Sequence, residues 1–70
     1  MNFRDYWRSI DKPARSRVAD RAETSVEYLI QIAGGHSRPS AAMCVRLEIA
    51  TGGKVTREEL RPDLFLRQSA

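Results

Sequence analysis

Turn-forming and cap-forming residues recur along this chain so often that only short elements fit between them. Breaks fall at Asp11-Lys12-Pro13, Glu23-Thr24-Ser25, Gly34 to Ser40, Gly52-Gly53 and Arg61-Pro62-Asp63. Nearly every piece between the breaks has helical periodicity. In the first, Phe3, Tyr6, Trp7 and Ile10 stand at i, i+3, i+4 and i+7, an amphipathic helix that Asn2 can cap. Asp11 is the natural N-cap of a second helix, with Pro13 tolerated in its first turn because the missing N–H has no partner there. That helix is expected to reach about Ala22 and to bury Ala14, Val18, Ala19 and Ala22. Ser25 caps a third, Val26 to Ala33, stopped by Gly34-Gly35, and Ser40 caps a fourth, Ala41 to Thr51, stopped by Gly52-Gly53. Thr56 and Glu59 make a capping box for a last helix of one or two turns, since Pro62 cannot continue it. Lys54-Val55 is too short to matter as a strand. The expected fold is all-α, four helices plus a short fifth.

With 70 residues the chain holds one core, and a chain of that size buries only roughly 60% of its unfolded surface. Residues 1–66 are expected to form a single domain and residues 67–70 a disordered tail. Cys44 and His36 are the sole cysteine and histidine, which excludes an intrachain disulfide and a structural zinc site. Stability must then come from a helical core or from dimerisation. One histidine, no triad, no Gly-rich phosphate loop and no carboxylate pair in an apolar setting argue against an enzyme, a cofactor or a small-molecule substrate. The formal charge is +3, from 12 Lys and Arg against 9 Asp and Glu. Most of the cations are Arg, whose planar fork suits phosphates and guanine edges. No apolar run approaches the roughly 18 residues of a membrane span, and no signal peptide opens the chain. A cytoplasmic, nucleoid-associated protein is the expectation.

Residues 15–34 are the most informative. A helix-turn-helix unit needs a small residue midway along its first helix so that the second can cross closely; Ala19 stands there. Ala22 is the apolar residue before the turn, Ser25 caps the second helix, and Leu29 and Ile32 are its two buried aliphatics. There is one departure. The turn usually carries a left-handed glycine, and here Glu23 takes that place. A non-glycine residue at positive φ costs about 1 kcal/mol, so either the turn differs or the strain is tolerated.

Three further stretches carry a resemblance. Asn2-Phe3-Arg4-Asp5-Tyr6, the segment Tyr28 to Gly35 and the run Ala50-Thr51-Gly52-Gly53 through Arg61-Pro62-Asp63 resemble the small phage repressors of the Cro/YdaS-like family over roughly residues 2–65. The resemblance implies a lambda-repressor-like helix-turn-helix DNA-binding domain, acting as a dimer on operator DNA to repress phage or prophage genes. Cro-like proteins end in either helix or β-hairpin; Pro62 and the Thr56 capping box favour helix here.

If the unit docks in the usual way, its second helix enters the major groove and its outward residues meet base edges. With Leu29 and Ile32 inward, that set is Ser25, Val26, Glu27, Tyr28, Ile30 and Gln31. Gln31 can bond an adenine edge bidentately, Glu27 can accept from a cytosine amino group, and Val26 and Ile30 can touch thymine methyls. Tyr28 can reach a base or a phosphate. The alternative is that these are ordinary surface residues of a packing helix. Phosphate contacts, which position without reading sequence, fall to Lys12, Arg15, Ser16 and Arg17 before the reading helix and to Ser37 and Arg38 after it. The alternative for each is a solvated surface group. His36 and Trp7 are expected to be exposed and buried respectively, and Cys44 to be a small core residue rather than a reactive thiol.

The fourth helix has two apolar stripes. Met43, Cys44, Leu47 and Ala50 belong inward; Ala42, Val45 and Ile49 are left over. With the tail Leu64-Phe65-Leu66 they are candidates for a homodimer interface, against the alternative that the tail folds back onto its own core. Two functions are thus carried forward: a sequence-specific repressor of a short palindromic operator in double-stranded DNA, dimeric at least on DNA, and a helix-turn-helix module that binds protein, antitoxin-like or anti-repressor-like.

Overall fold

A computed structural model describes residues 1–65. Five helices follow in order: α1 (Phe3–Ser9), α2 (Lys12–Arg21), α3 (Val26–Ala33), α4 (Ala41–Ala50) and α5 (Arg57–Leu60), with no strand among the described residues. Every start uses the cap the sequence offers. The Asn2 side chain accepts from the Asp5 N–H at 2.8 Å, Asp11 from Ala14 at 3.0 Å, Ser25 from Tyr28 at 3.1 Å and Ser40 from Met43 at 3.2 Å. At Thr56 the capping box closes both ways, with Glu59 N–H on the Thr56 hydroxyl at 3.2 Å and Thr56 N–H on the Glu59 carboxylate at 3.0 Å.

The helix ends share one device. In α2, α3 and α4 the residue after the C-cap is left-handed: Glu23 at φ 59°, Gly35 at 81° and Gly52 at 66°. The next N–H then returns to a carbonyl in the last turn, Thr24 to Ala19 at 2.9 Å, His36 to Gln31 at 2.9 Å and Gly53 to Glu48 at 2.8 Å. Glu23 therefore makes the same turn as the two glycines, and the strain is tolerated.

α2 packs on α3 and on α4, α1 on α3, and α5 on α4. Their shared interior holds Phe3, Tyr6, Trp7, Val18, Ala19, Leu29, Ile32, Met43, Leu47 and Val55, where burying each large aliphatic or aromatic is worth about 1.5–3 kcal/mol. Ala19 and Ala22, almost wholly buried, allow α3 to cross α2 closely. Ala14 is half-buried rather than buried, since it lies in the first turn, at the edge of that contact. Arg15 ties α2 to α1: its Nε and Nη2 donate to the Trp7 carbonyl at 3.2 and 3.0 Å, and its guanidinium lies 5.1 Å from the indole centroid. Cys44 is buried and its thiol donates to the Pro39 carbonyl at 3.9 Å. Desolvation pushes its pKa up, with the Arg61 charge pulling the other way.

The C-terminal segment is held by polar links. The Thr51 hydroxyl accepts from the Val55 N–H at 3.2 Å, and Glu48 accepts from the Arg57 N–H at 2.7 Å and its Nε at 3.1 Å. Arg61 donates to the Pro39 carbonyl at 3.0 Å while its other nitrogens grip both oxygens of Asp63. Pro62 ends α5 as its missing N–H requires.

Candidate nucleic-acid interface

α2, the Glu23 turn and α3 form the helix-turn-helix. Leu29 and Ile32 are buried against the core and fix the rotation of α3. At about 100° per residue, the face opposite them is Glu27 and Gln31, stacked at i and i+4, with Ile30 beside them. All three are exposed, as is the cap Ser25. Ile30 is 52% exposed although the helix has an apolar interior to offer.

Val26 and Tyr28, expected on the outward face, are half-buried and packed against the core. The physical reason is angular. Each sits on a flank of the Leu29–Ile32 stripe, so excluding only those two inward residues made the outward set too wide. Their partly exposed atoms border the face but do not form its centre.

The cations divide in the same way. Lys12, Ser16 and Arg17 are exposed on α2, and Arg38 is exposed after α3. Arg15, also named as a phosphate candidate, is half-buried, and its Nε and Nη2 are engaged with the Trp7 carbonyl, so it ties α2 to α1. Arg38 stands 3.8 Å from Asp63 in a solvated pair that is too long and too exposed to hold it. Ser37 is half-buried, and its hydroxyl donates to the Gln31 side-chain carbonyl at 3.0 Å. Charge and periodicity give no sign of that bond, because it depends on the chain reversal at Gly35. His36 is exposed, and no group of three or more metal-capable side chains occurs among the described residues.

On α4, Met43, Cys44, Leu47 and Ala50 are buried, whereas Ala42 is exposed, Val45 half-buried and Ile49 74% exposed. The second stripe therefore faces away from the core. Leu64 is exposed, but Phe65 is half-buried with the Arg57 guanidinium 5.8 Å from its ring, so it has an intramolecular cover that the sequence pattern did not indicate. Leu66 and residues 67–70 lie outside the described residues. No helix among the described residues is long and apolar enough to cross a membrane.

Comparison with known proteins fits this geometry. Residues 14–69 match the family described as Bacterial toxin YdaS. Over 60 residues the chain is 30% identical to a prophage transcriptional regulatory protein of Escherichia coli (strain K12), covering 86% of this chain and 91% of that protein.

Proposed function

The chain belongs to the Bacterial toxin YdaS family, and from that footing we propose that it is a sequence-specific DNA-binding transcriptional repressor of prophage type, Cro-like in action. α3 lies in the major groove of a short operator, with Ser25, Glu27, Ile30 and Gln31 toward base edges and Val26 and Tyr28 at the margin. Lys12, Ser16 and Arg17 meet phosphates on one side of α3 and Arg38 on the other. The observation that carries this reading is the outward face of α3. It joins an exposed aliphatic, Ile30, to an acceptor, Glu27, and an amide, Gln31, on a helix whose other side is fully committed to the core. Thymine methyls and base-edge donors are the complement of that mixture. The transcriptional role named for the Escherichia coli relative supports it.

The same reading gives the leftover stripe of α4, Ala42, Val45 and Ile49, together with Leu64, to a second copy of the chain. A two-fold dimer sets its reading helices about 34 Å apart, so the operator is palindromic. A second reading assigns that stripe to another protein, as an antitoxin-like or anti-repressor-like module; the exposure of Ile49 favours it as much as it favours dimerisation.

The test is a salt-titrated anisotropy measurement on the DNA flanking the protein's own gene, against a scrambled duplex of equal length. Preference of about a thousandfold or more supports the repressor. Equal and steeply salt-dependent binding to both reduces the function to phosphate contact. No binding to either moves the function to the protein-binding reading.

A further inference from the structure

We infer that Ser37, outside the reading helix, is a positioning residue that sets how sharply Gln31 reads its base; the inference rests on the repressor reading above. A free glutamine on a helix surface samples many rotamers, and the base contact must first freeze them. Here the freezing is built into the protein. Gly35, left-handed at φ 81°, turns the chain back so that Ser37 lies over the last turn of α3. The Ser37 N–H then donates to the Gln31 backbone carbonyl at 3.3 Å and its hydroxyl to the Gln31 side-chain carbonyl at 3.0 Å. The His36 N–H reaches the same backbone carbonyl at 2.9 Å. Ser37 thus holds Gln31 by main chain and side chain together, and one lone pair of the amide oxygen is taken. What remains for a base is the amino group, with two N–H donors, and the second lone pair. An amide held in that pose meets a purine edge, whose N7 accepts and whose neighbouring substituent tells adenine from guanine.

This role differs in kind from a phosphate contact by the same serine. A hydroxyl on a phosphate adds affinity for every sequence, whereas a hydroxyl on Gln31 adds discrimination at one base pair.

The experiment is selection from a randomised duplex pool, sequenced after binding, for the full-length chain and for Ser37→Ala, Ser37→Thr and Gln31→Ala, with thermal denaturation of each. The expected result is that Gln31→Ala flattens one column of the selected motif. Ser37→Ala lowers the preference in that same column by about three- to tenfold, leaving the other columns and the denaturation midpoint in place. Ser37→Thr, which keeps the hydroxyl, restores the column. Uniform weakening on all duplexes by Ser37→Ala overturns the inference in favour of a phosphate contact. A lowered midpoint with every column intact overturns it in favour of a purely structural bond. A motif that survives Ser37→Ala unchanged sinks the positioning role alone, while a parent chain that selects no motif sinks the repressor reading and this inference with it.

Discussion

Two parts of this small chain use charged side chains differently. In α4, α5 and the segment after them, Arg57 is bonded to Glu48, Arg61 to Asp63 and the N-terminal amine to Glu59. In α1 and α2, Arg4, Arg8, Lys12, Arg17 and Arg21 have no ion pair among the described residues. Two of the carboxylates there are turned elsewhere. Asp11 accepts from the backbone of α2, and Asp5 from the Asn2 amide. Asp5 and Asp11 thus bind polar groups of their own helix starts and no cation, whereas Glu59 and Glu48 each accept from a backbone N–H and pair with a cation as well, which locks segments together. The net charge of +3 is too small to imply a nucleic acid, and cations with no ion pair among the described residues also stand in the second part, at Arg46 and Lys54; what sets the second part apart is its locked pairs.

The largest effect breaks both parts at once. Leu29 is fully buried on the inner face of α3, so Leu29→Ala is expected to cost about 2–5 kcal/mol, most of what a domain of this size has. Urea denaturation reads it as a fall in midpoint, and DNA binding disappears with the fold. A loss below about 1 kcal/mol would show that α3 is not seated as described.

Gln31→Ala and Arg17→Ala separate the parts instead. Each leaves the denaturation midpoint near its parent value, because both side chains are exposed. Gln31→Ala costs roughly 1–3 kcal/mol on the preferred site and relaxes one position. Arg17→Ala weakens all duplexes about equally and lowers the salt slope by about one. If neither alters binding in a salt-titrated anisotropy assay, the unpaired cations and the α3 face are only surface.

The helices were legible in the sequence because their signals are local. Asn2, Asp11, Ser25, Ser40 and Thr56 each sit before an amphipathic stretch and each caps it. The buried stripes followed from 3.6-residue periodicity, down to Cys44 and Leu47. What was not legible depends on contacts between segments distant in sequence or on the exact rotation of a helix. Arg15 looked like any surface cation until α1 placed the Trp7 carbonyl above it. Val26 and Tyr28 lie on the flanks of the Leu29–Ile32 stripe by helical angle alone, a distinction that a two-way division into inward and outward faces does not draw. Ser37 needed the left-handed step at Gly35 to bring it onto Gln31.

Glu23 offers a smaller and cleaner test, because the sequence flagged it and the structure resolves it. It occupies at φ 59° the place that glycine fills in the caps of α3 and α4. Glu23→Gly relieves the left-handed strain but loosens the unfolded chain, and the first outweighs the second. The expected outcome is a stabilisation of up to about 1 kcal/mol, seen as a raised midpoint with the selected motif unchanged. Destabilisation would mean that the Glu23 side chain contributes something its geometry does not disclose.

The smallest effect is on acid stability and probes the place where the two uses of charge meet. Asp63 grips Arg61, whose hydrogen bonds hold its pKa down to about 2 from an ordinary 3.8, and Glu48 is lowered in the same way by Arg57. A carboxyl whose folded pKa lies below its unfolded one stabilises the fold fully above the unfolded value and loses that contribution as pH falls through the folded one. Denaturation midpoints should therefore be flat above about pH 5 and decline from about pH 4 toward pH 2, and Asp63→Asn should remove part of that decline. The same carboxylate also faces Arg38, a phosphate candidate, at 3.8 Å. So long and so solvated a pair holds little, and Asp63→Asn is expected to leave DNA affinity at neutral pH where it was. If the variant instead binds every duplex more tightly with a steeper salt slope, Asp63 restrains Arg38 in the free protein and competes with phosphate for it.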